Sequence, residues 1–80
     1  MKQPSEHIEL RLFATLARFA PSNAGHYPIA AGAKVGDLLA ELQIPPMEAK
    51  LIFINGIKGT LDSPLYGGER VGIFPPVGGG

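Results

Sequence analysis

The stretch that most constrains the fold is the C-terminal sequence RVGIFPPVGGG, residues 70–80. Its first five residues have the β-branched and aromatic character of a buried strand. Pro75 and Pro76 lack the N–H that a sheet ladder needs, so we expect the strand to end at Phe74. Each proline also favours extended backbone in the residue before it, which predicts a short rigid stem from Phe74 to Val77.

The three glycines after the stem have no side chain to pack. Ordering each of them costs about 1–2 kcal/mol of backbone entropy with no apolar burial to offset it. We therefore predict one domain at residues 1–77 and a flexible tail at residues 78–80. Pro76 to Gly80 span at most about 16–18 Å when extended, enough to reach a partner's buried active site. The carboxyl group of Gly80 is unhindered, but it becomes an electrophile only after activation, for instance as an acyl-adenylate.

Composition bounds the remaining function classes. With 80 residues there is room for one small domain, and an apolar fraction of 45% is typical of a globular chain. Seven basic and seven acidic residues cancel without forming a basic stripe, which argues against binding to nucleic acid or to an anionic membrane. Zero cysteines exclude disulfides and thiolate metal sites. We expect a cytoplasmic protein, because no segment has the length and hydropathy of a signal peptide or a membrane span.

Hydrophobic periodicity predicts the element order ββαβββ. Alternation predicts a first strand over residues 7–13, and a short helical turn follows at residues 14–20. A second, antiparallel strand is predicted over residues 26–30, where Pro28 favours an edge position. Apolar residues at i, i+3, i+4 and i+7 from Val35 to Leu42 predict an amphipathic helix.

The second half of the chain reads as strands and turns. The apolar run LIFI at residues 51–54 predicts a central strand, and Asn55-Gly56 is a strong hairpin signal leading into a partner strand at residues 57–60. Leu65 is expected in the core, and Gly67-Gly68 is expected to turn the chain into the last strand. A sheet of four to five strands with one helix across it, an α+β fold, lets these elements share one core.

The body of the chain offers no evident catalytic group. His7 and His26 fall on the polar sides of predicted strands, and Asp62 and Glu69 fall in turns, where carboxylates ordinarily bind backbone N–H groups. No metal site, nucleophile elbow or phosphate loop is recognisable. We therefore expect no bound cofactor, no metal and no catalysis by the domain alone.

Five motifs carry a resemblance that spans nearly the whole chain. They are LFATLAR (12–18), LIFING (51–56), DSPL (62–65), GERV (68–71) and the ending FPPVGGG (74–80). The chain resembles the ubiquitin-like sulfur-carrier family (MoaD/ThiS), and within it most closely the small subunits of molybdopterin synthase, the MoaD type. The ending is the specific part of the match. The resemblance implies a β-grasp (ubiquitin-like) fold.

It also implies a function for the tail. A MoeB-like adenylyltransferase would use ATP to adenylate Gly80, and sulfur transfer would convert it to a thiocarboxylate. The tail would then enter a MoaE-like large subunit and donate sulfur to cyclic pyranopterin monophosphate. The positions that would contact these partners are Phe74, Pro75, Pro76, Val77, Gly78 and Gly79. The sequence leaves open whether the Phe74 ring anchors a partner or closes the core.

Three alternatives remain open at this point. One is a ThiS-type carrier for thiamine or another sulfur pathway. Another is a ubiquitin-like modifier that joins its C-terminal carboxyl group to lysines, as small archaeal modifiers do. The third is a β-grasp interaction module with an inert tail.

Overall fold

The computed structural model describes residues 6–76, so the predictions for Val77 and the three terminal glycines lie outside it. The strands are β1 Glu6–Leu12, β2 Tyr27–Ile29, β3 Ala33–Lys34, β4 Leu51–Ile54, β5 Ile57–Gly59, β6 Pro64–Leu65 and β7 Arg70–Phe74. One α-helix, α1, spans Val35–Glu41, and 3₁₀ helices span Ala14–Phe19, Ala24–His26 and Pro46–Glu48. None of the helices in this part of the chain is long and apolar enough to cross a membrane.

Five of the strands form one mixed sheet in the order β2-β1-β7-β4-β5. β1 and β7 run parallel, whereas the other neighbouring pairs are antiparallel. The α+β class, the five-stranded sheet and the single α-helix confirm the predicted fold. The two-residue strands β3 and β6 pair with each other outside this sheet and were not predicted, because two residues are too few to show a period.

The position of β4 differs from the prediction. β4 lies inside the sheet between β7 and β5, but β7 is the middle strand. The apolar run LIFI suggested burial on both faces, whereas only Ile52 is buried and Leu51 is 36% exposed. One outward residue of the run, Phe53, belongs to an exposed surface described below.

The edge strand β2 confirms the interpretation of Pro28. Pro28 pairs with His7 of β1, and β2 has no neighbour on its other side within the described part of the sheet. A proline is tolerated there because its missing N–H would face away from the ladder. His7 and His26 are both exposed, as predicted, and their rings stack with centroids 3.7 Å apart.

The core lies between one face of the sheet and α1. It consists of thirteen buried hydrophobic residues: Ile8, Leu10, Leu16, Tyr27, Ile29, Val35, Leu38, Leu39, Ile44, Ile52, Leu65, Val71 and Ile73. Alternate residues of β1, β2 and β7 enter it together with Ile52 of β4, so we call this the inner face of the sheet. No Ser or Thr caps α1, as the sequence indicated. Instead, the Asp37 carboxylate accepts a hydrogen bond from the Lys34 N–H at 3.1 Å.

One polar contact ties the sheet to the helix. The Tyr27 hydroxyl donates a hydrogen bond to Oε1 of Glu41, with an oxygen–oxygen distance of 2.5 Å. Burial of the ring, together with the Glu41 acceptor and its charge, raises the pKa of Tyr27 to about 12.

The predicted turns position the start of β7. Asn55 and Gly56 have φ values of 53° and 81°, which match the two-residue hairpin turn that joins β4 and β5. The Asn55 side-chain oxygen accepts a hydrogen bond from the Arg70 N–H at 2.9 Å. At the Gly67-Gly68 turn, the Glu69 carboxylate accepts bonds from the backbone N–H groups of Tyr66 and Gly67, so its expected role in the turn is confirmed.

Candidate docking surface and tail exit

The C-terminal stem leaves from the middle of the sheet. The Phe74 carbonyl accepts a hydrogen bond from the Lys50 N–H at 2.9 Å, and the Ile73 carbonyl accepts one from the Phe13 N–H at 3.1 Å. β7 ends at Phe74, as predicted, and Pro75 is half-buried while Pro76 is exposed. Neither proline can donate to the ladder, so pairing cannot extend past this point. The residues that follow start from a position fixed by hydrogen bonds from both neighbouring segments.

The strand register places five side-chain positions together on the outer face of the sheet, the face opposite the core. Gly72 of β7 pairs with Arg11 of β1 on one side and with Phe53 of β4 on the other. Arg70 and Phe74 lie two residues before and after Gly72 on the same strand, so they share its face. Gly72 therefore lies at the centre of a cross whose arms are two arginines and two phenylalanines.

Aromatic contacts join this cross to the end of β1. The Phe74 and Phe13 rings stack with centroids 4.2 Å apart and planes within 2°, and the Phe53 ring meets Phe74 edge-on at 5.9 Å. Both arrangements are favourable for aromatic pairs. Phe74 is half-buried and outside the core, so its ring does not close the core, and its contact with a partner stays a prediction. Its side chain lies on the outer face, beside the start of the stem.

These residues line a shallow groove of about 300 Å³, which we call the outer groove. Its lining residues are Arg11, Phe13, Phe53, Gly56, Arg70, Gly72 and Phe74. Aromatic and arginine side chains are the types enriched at the anchoring positions of protein interfaces. The outer groove is therefore suited to docking against another protein.

The groove carries positive charge and no lining carboxylate. Nε of Arg11 contacts Oε2 of Glu9 at 2.6 Å, which is the only side-chain ion pair among residues 6–76. The Arg70 guanidinium is exposed and has no carboxylate partner within that range. Arg11 keeps further N–H donors, because a guanidinium has five.

The residue after Phe13 has an unusual backbone conformation. Ala14 has a φ of 53°, in the left-handed region that costs a non-glycine residue roughly 1–2 kcal/mol. The turn follows directly on the Phe13 N–H bond to Ile73, so it bends the chain away at the point where the Phe13 ring meets Phe74. Such strain beside an exposed apolar surface is consistent with a positioning role for the turn.

The structure brings together some of the predicted site residues. Phe74, Pro75 and Pro76 lie at the groove and the exit, whereas Val77, Gly78, Gly79 and Gly80 lie outside the described residues. Among residues 6–76, no group of three or more His, Cys, Asp or Glu side chains could hold a metal ion.

Sequence reasoning missed four residues of the outer groove: Phe13, Phe53, Arg11 and Arg70. A usable signal existed for Phe13, which falls in phase with the polar residues Glu9 and Arg11 of the alternating first strand. An aromatic side chain on the polar face of a strand is an exposed apolar residue that calls for a partner.

The five-stranded mixed sheet with one α-helix across its inner face defines a ubiquitin-like β-grasp fold. The ThiS family model matches residues 10–80. The chain belongs to the ThiS family, whose members are ubiquitin-like sulfur carriers. No curated protein matches it significantly in sequence.

Solved structures share the fold over nearly the whole chain. The Haloferax volcanii HVO 2177 protein superposes with a TM-score of 0.72 at 26% identity, covering 94% of this chain and 87% of that one. Small archaeal modifier protein 1 of Haloferax volcanii gives 0.68 at 29% identity, with 91% and 100% coverage. A Pyrococcus furiosus protein assigned as molybdopterin converting factor, subunit 1, gives 0.63 at 27% identity, with 91% and 100% coverage.

Proposed function

We propose that the chain is a sulfur carrier for molybdopterin biosynthesis, in which the carboxyl group of Gly80 is the reacting group. A carboxylate oxygen of Gly80 attacks the α-phosphorus of ATP on a MoeB-like adenylyltransferase, and pyrophosphate leaves. Hydrosulfide from a sulfur source then attacks the carbonyl carbon of the acyl-adenylate and displaces AMP, which leaves a thiocarboxylate. ATP is thus a substrate of the partner, and the carrier itself holds no cofactor.

The observation that carries the proposal is the position of Phe74. Its ring is half-exposed in the outer groove, while its carbonyl makes the last ladder bond before the two prolines. A partner that covers the groove would therefore contact the residue from which the tail departs. Docking there would fix the start of the tail relative to the partner's active site, and such positioning contributes strongly to reaction rates.

In this proposal the body docks and the tail reacts. The stem from Phe74 to Val77 directs Gly78, Gly79 and Gly80 into the partner. Glycine permits close approach of other groups to the backbone, which suits a narrow channel. The outer groove lies beside the point where the stem leaves the sheet, so one partner surface could contact both.

The second partner in the proposal is a MoaE-like large subunit. The thiocarboxylate would donate its sulfur there to cyclic pyranopterin monophosphate. The Pyrococcus furiosus neighbour, assigned as a molybdopterin converting factor subunit, supports this choice of pathway. The FPPV stem, which most resembles the MoaD type, supports it as well.

A second candidate function is covalent protein modification. Small archaeal modifier protein 1 of Haloferax volcanii is 29–30% identical in two crystal structures and is covered almost completely by the match. A modifier would share the activation of Gly80 but pass the acyl group to a lysine amine. The two functions therefore differ in the acceptor and not in the first step.

The test is the intact mass of the protein after incubation with ATP, a sulfur source and the MoeB-like adenylyltransferase of the source organism. We expect a mass gain equal to the replacement of one oxygen by one sulfur. An unchanged mass under conditions that modify a known carrier would contradict the sulfur-carrier function, whereas a modifier needs the acyl-adenylate but not the thiocarboxylate. A carrier then transfers sulfur to cyclic pyranopterin monophosphate with the large subunit, whereas a modifier forms isopeptide-linked conjugates in extract supplied with ATP.

A further inference from the structure

We infer that Arg11 and Arg70 make the outer groove selective for an activating-enzyme surface that presents a carboxylate beside apolar side chains. This inference rests on the proposed function, because a carrier and a modifier both need a partner that activates Gly80. The contact surface of that partner would carry a carboxylate, and Arg11 and Arg70 would bind it.

Gly72 forms the floor of the outer groove. Gly72 has no side chain, and its two register neighbours Arg11 and Phe53 border it from either side. A Cβ atom built on Gly72 would come within 3.4 Å of the Phe13 ring, so even a methyl group would begin to fill the floor of the groove. The depression over Gly72 is thus bordered by guanidinium groups at one end and phenyl rings at the other.

The outer groove is positively charged although the whole chain is neutral. The whole chain has seven basic and seven acidic residues, so its net charge is zero, yet the groove is lined by two arginines and no acidic residue. The Arg11 side chain is 61% exposed, and Arg70 is also exposed. An apolar partner surface alone would leave the Arg70 charge uncompensated and the Arg11 charge compensated only in part by Glu9, whereas a carboxylate over Gly72 would complement both.

Both cations that line the outer groove are arginines. Arginine presents a planar array of donors that matches a carboxylate in a bidentate contact, which lysine cannot do. The apolar arm of the groove, formed by Phe13, Phe53 and Phe74, fits aliphatic or aromatic side chains. The expected partner surface therefore carries Asp or Glu next to apolar residues.

The contact with Glu9 makes the two arginines unequal in the charge that they offer to a partner. Its carboxylate already engages Nε of Arg11, so part of the Arg11 charge is compensated before a partner arrives. Arg70 is the register neighbour of Glu9 but forms no ion pair with a carboxylate among residues 6–76. Reversing the charge at Arg70 should therefore weaken docking more than reversing it at Arg11.

The experiment measures Kd for the MoeB-like adenylyltransferase with the full-length protein and three charge reversals: Arg70→Glu, Arg11→Glu and the control Lys34→Glu. Lys34 is exposed at the start of α1, away from the groove, and its substitution changes the net charge equally. We expect Arg70→Glu to raise Kd roughly tenfold or more, Arg11→Glu to raise it less, and Lys34→Glu to stay within about twofold of wild type. The difference should shrink between ionic strengths of about 0.01 M and about 0.15 M.

Folding is checked for each variant by its NMR spectrum, and the glutamine substitution at the same position (Arg70→Gln, Arg11→Gln or Lys34→Gln) replaces any charge reversal that does not fold. If Arg70→Glu and Lys34→Glu have equal Kd values while wild-type protein still gains sulfur, Arg70 does not recognise a partner carboxylate. The inference would then be overturned, and the proposed function would stand. Failure of wild-type protein to bind the enzyme or to gain sulfur would overturn both.

Discussion

The two faces of the same sheet have different tasks, and adjacent residues of β7 show the difference. Ile73 points to the inner face and is completely buried against the core. Phe74 points to the outer face, where its ring remains half-exposed between Phe13 and Phe53. A single strand therefore contributes to folding with one residue and to a partner surface with the next.

The comparison predicts that stability and docking can be altered separately in this protein. α1 covers only the inner face, so the outer face keeps apolar surface that folding did not require to be covered. Antiparallel and mixed sheets often leave one face in water, but that face is usually polar. Here aromatic residues lie on it next to the tail exit.

The largest expected effect is on the inner face. Ile73→Ala should lower the free energy of unfolding by about 2–5 kcal/mol, because it leaves a cavity at a fully buried position. Chemical denaturation measures the change. A loss below about 1 kcal/mol would show that the inner face does not hold the fold as described.

On the outer face the expected effect is on binding. Phe74→Ala should raise Kd for the adenylyltransferase roughly 30-fold, about 2 kcal/mol, because it removes a half-buried aromatic anchor beside the tail exit. Its cost in stability should be about 1–3 kcal/mol, the scale of its two aromatic pairs.

Ile57→Ala is the matched control, since Ile57 is 72% exposed but lies outside the groove. It should leave both the Kd and the unfolding free energy nearly unchanged. If Phe74→Ala instead costs about 3–5 kcal/mol of stability and binds normally when folded, Phe74 is a core residue and the comparison fails.

A smaller effect concerns the polar contact between the inner face and the helix. The neutral Tyr27 hydroxyl is favoured in the folded state, where its pKa is about 12, against about 10 in the unfolded chain. The unfolded state therefore loses its proton first as the pH rises. Stability contributed by this group is fully present below pH 10 and is lost as the pH rises from about 10 through about 12.

The loss at high pH should amount to about 1–2 kcal/mol, below the two-unit maximum of about 2.7 kcal/mol. This loss of stability is isolated by comparing the unfolding free energies of wild type and Tyr27→Phe, measured side by side from pH 9 to 12. Parallel curves for the two proteins would show that burial and the contact with Glu41 do not raise the pKa of Tyr27 in the folded state.

The smallest expected effect is at the strained turn beside the groove. Ala14→Gly should raise the unfolding free energy by a few tenths to about 1 kcal/mol, because glycine adopts a φ of 53° without steric cost but loses more backbone entropy on folding. Thermal unfolding measures the change, and destabilisation would contradict a strained Ala14. If the turn positions Phe13, the same variant should bind the adenylyltransferase somewhat more weakly.

Much of the fold was predictable because its signals are local. Alternation in β1, the apolar stripe of α1 and the Asn55-Gly56 turn each depend on a few neighbouring residues, and each was confirmed. The sheet order was not predictable in this way. The parallel pairing of β1 with β7 joins residues about sixty positions apart, and no local period reports it.

The docking surface depends on that pairing. Phe13 and Phe74 stack only because the C-terminal ends of β1 and β7 lie side by side, and Phe53 joins them only because β4 is the next strand. Before the strand order was known, Phe74 could equally close the core or face outward. The Pro-Pro stem, in contrast, could be located from sequence, since proline ends a ladder wherever it occurs.

The central claim is that the outer face docks and that the carboxyl group of Gly80 reacts. Extending the chain by one residue would displace that carboxyl group by about 3.3–3.6 Å, which exceeds the tolerance of a near-attack geometry. Deleting Gly80 alone leaves Gly79 as a substitute terminus, so removal of both glycines is the stricter variant. Neither glycine has a side chain that could pack in the core.

The most direct measurement is the yield of molybdopterin from cyclic pyranopterin monophosphate with the large subunit, the adenylyltransferase, ATP and a sulfur source. We predict that the protein lacking Gly79 and Gly80 gives no product, while its unfolding free energy stays within about 0.5 kcal/mol of wild type. Product formation at the wild-type rate by that truncated protein would contradict the claim that the chemistry resides at Gly80.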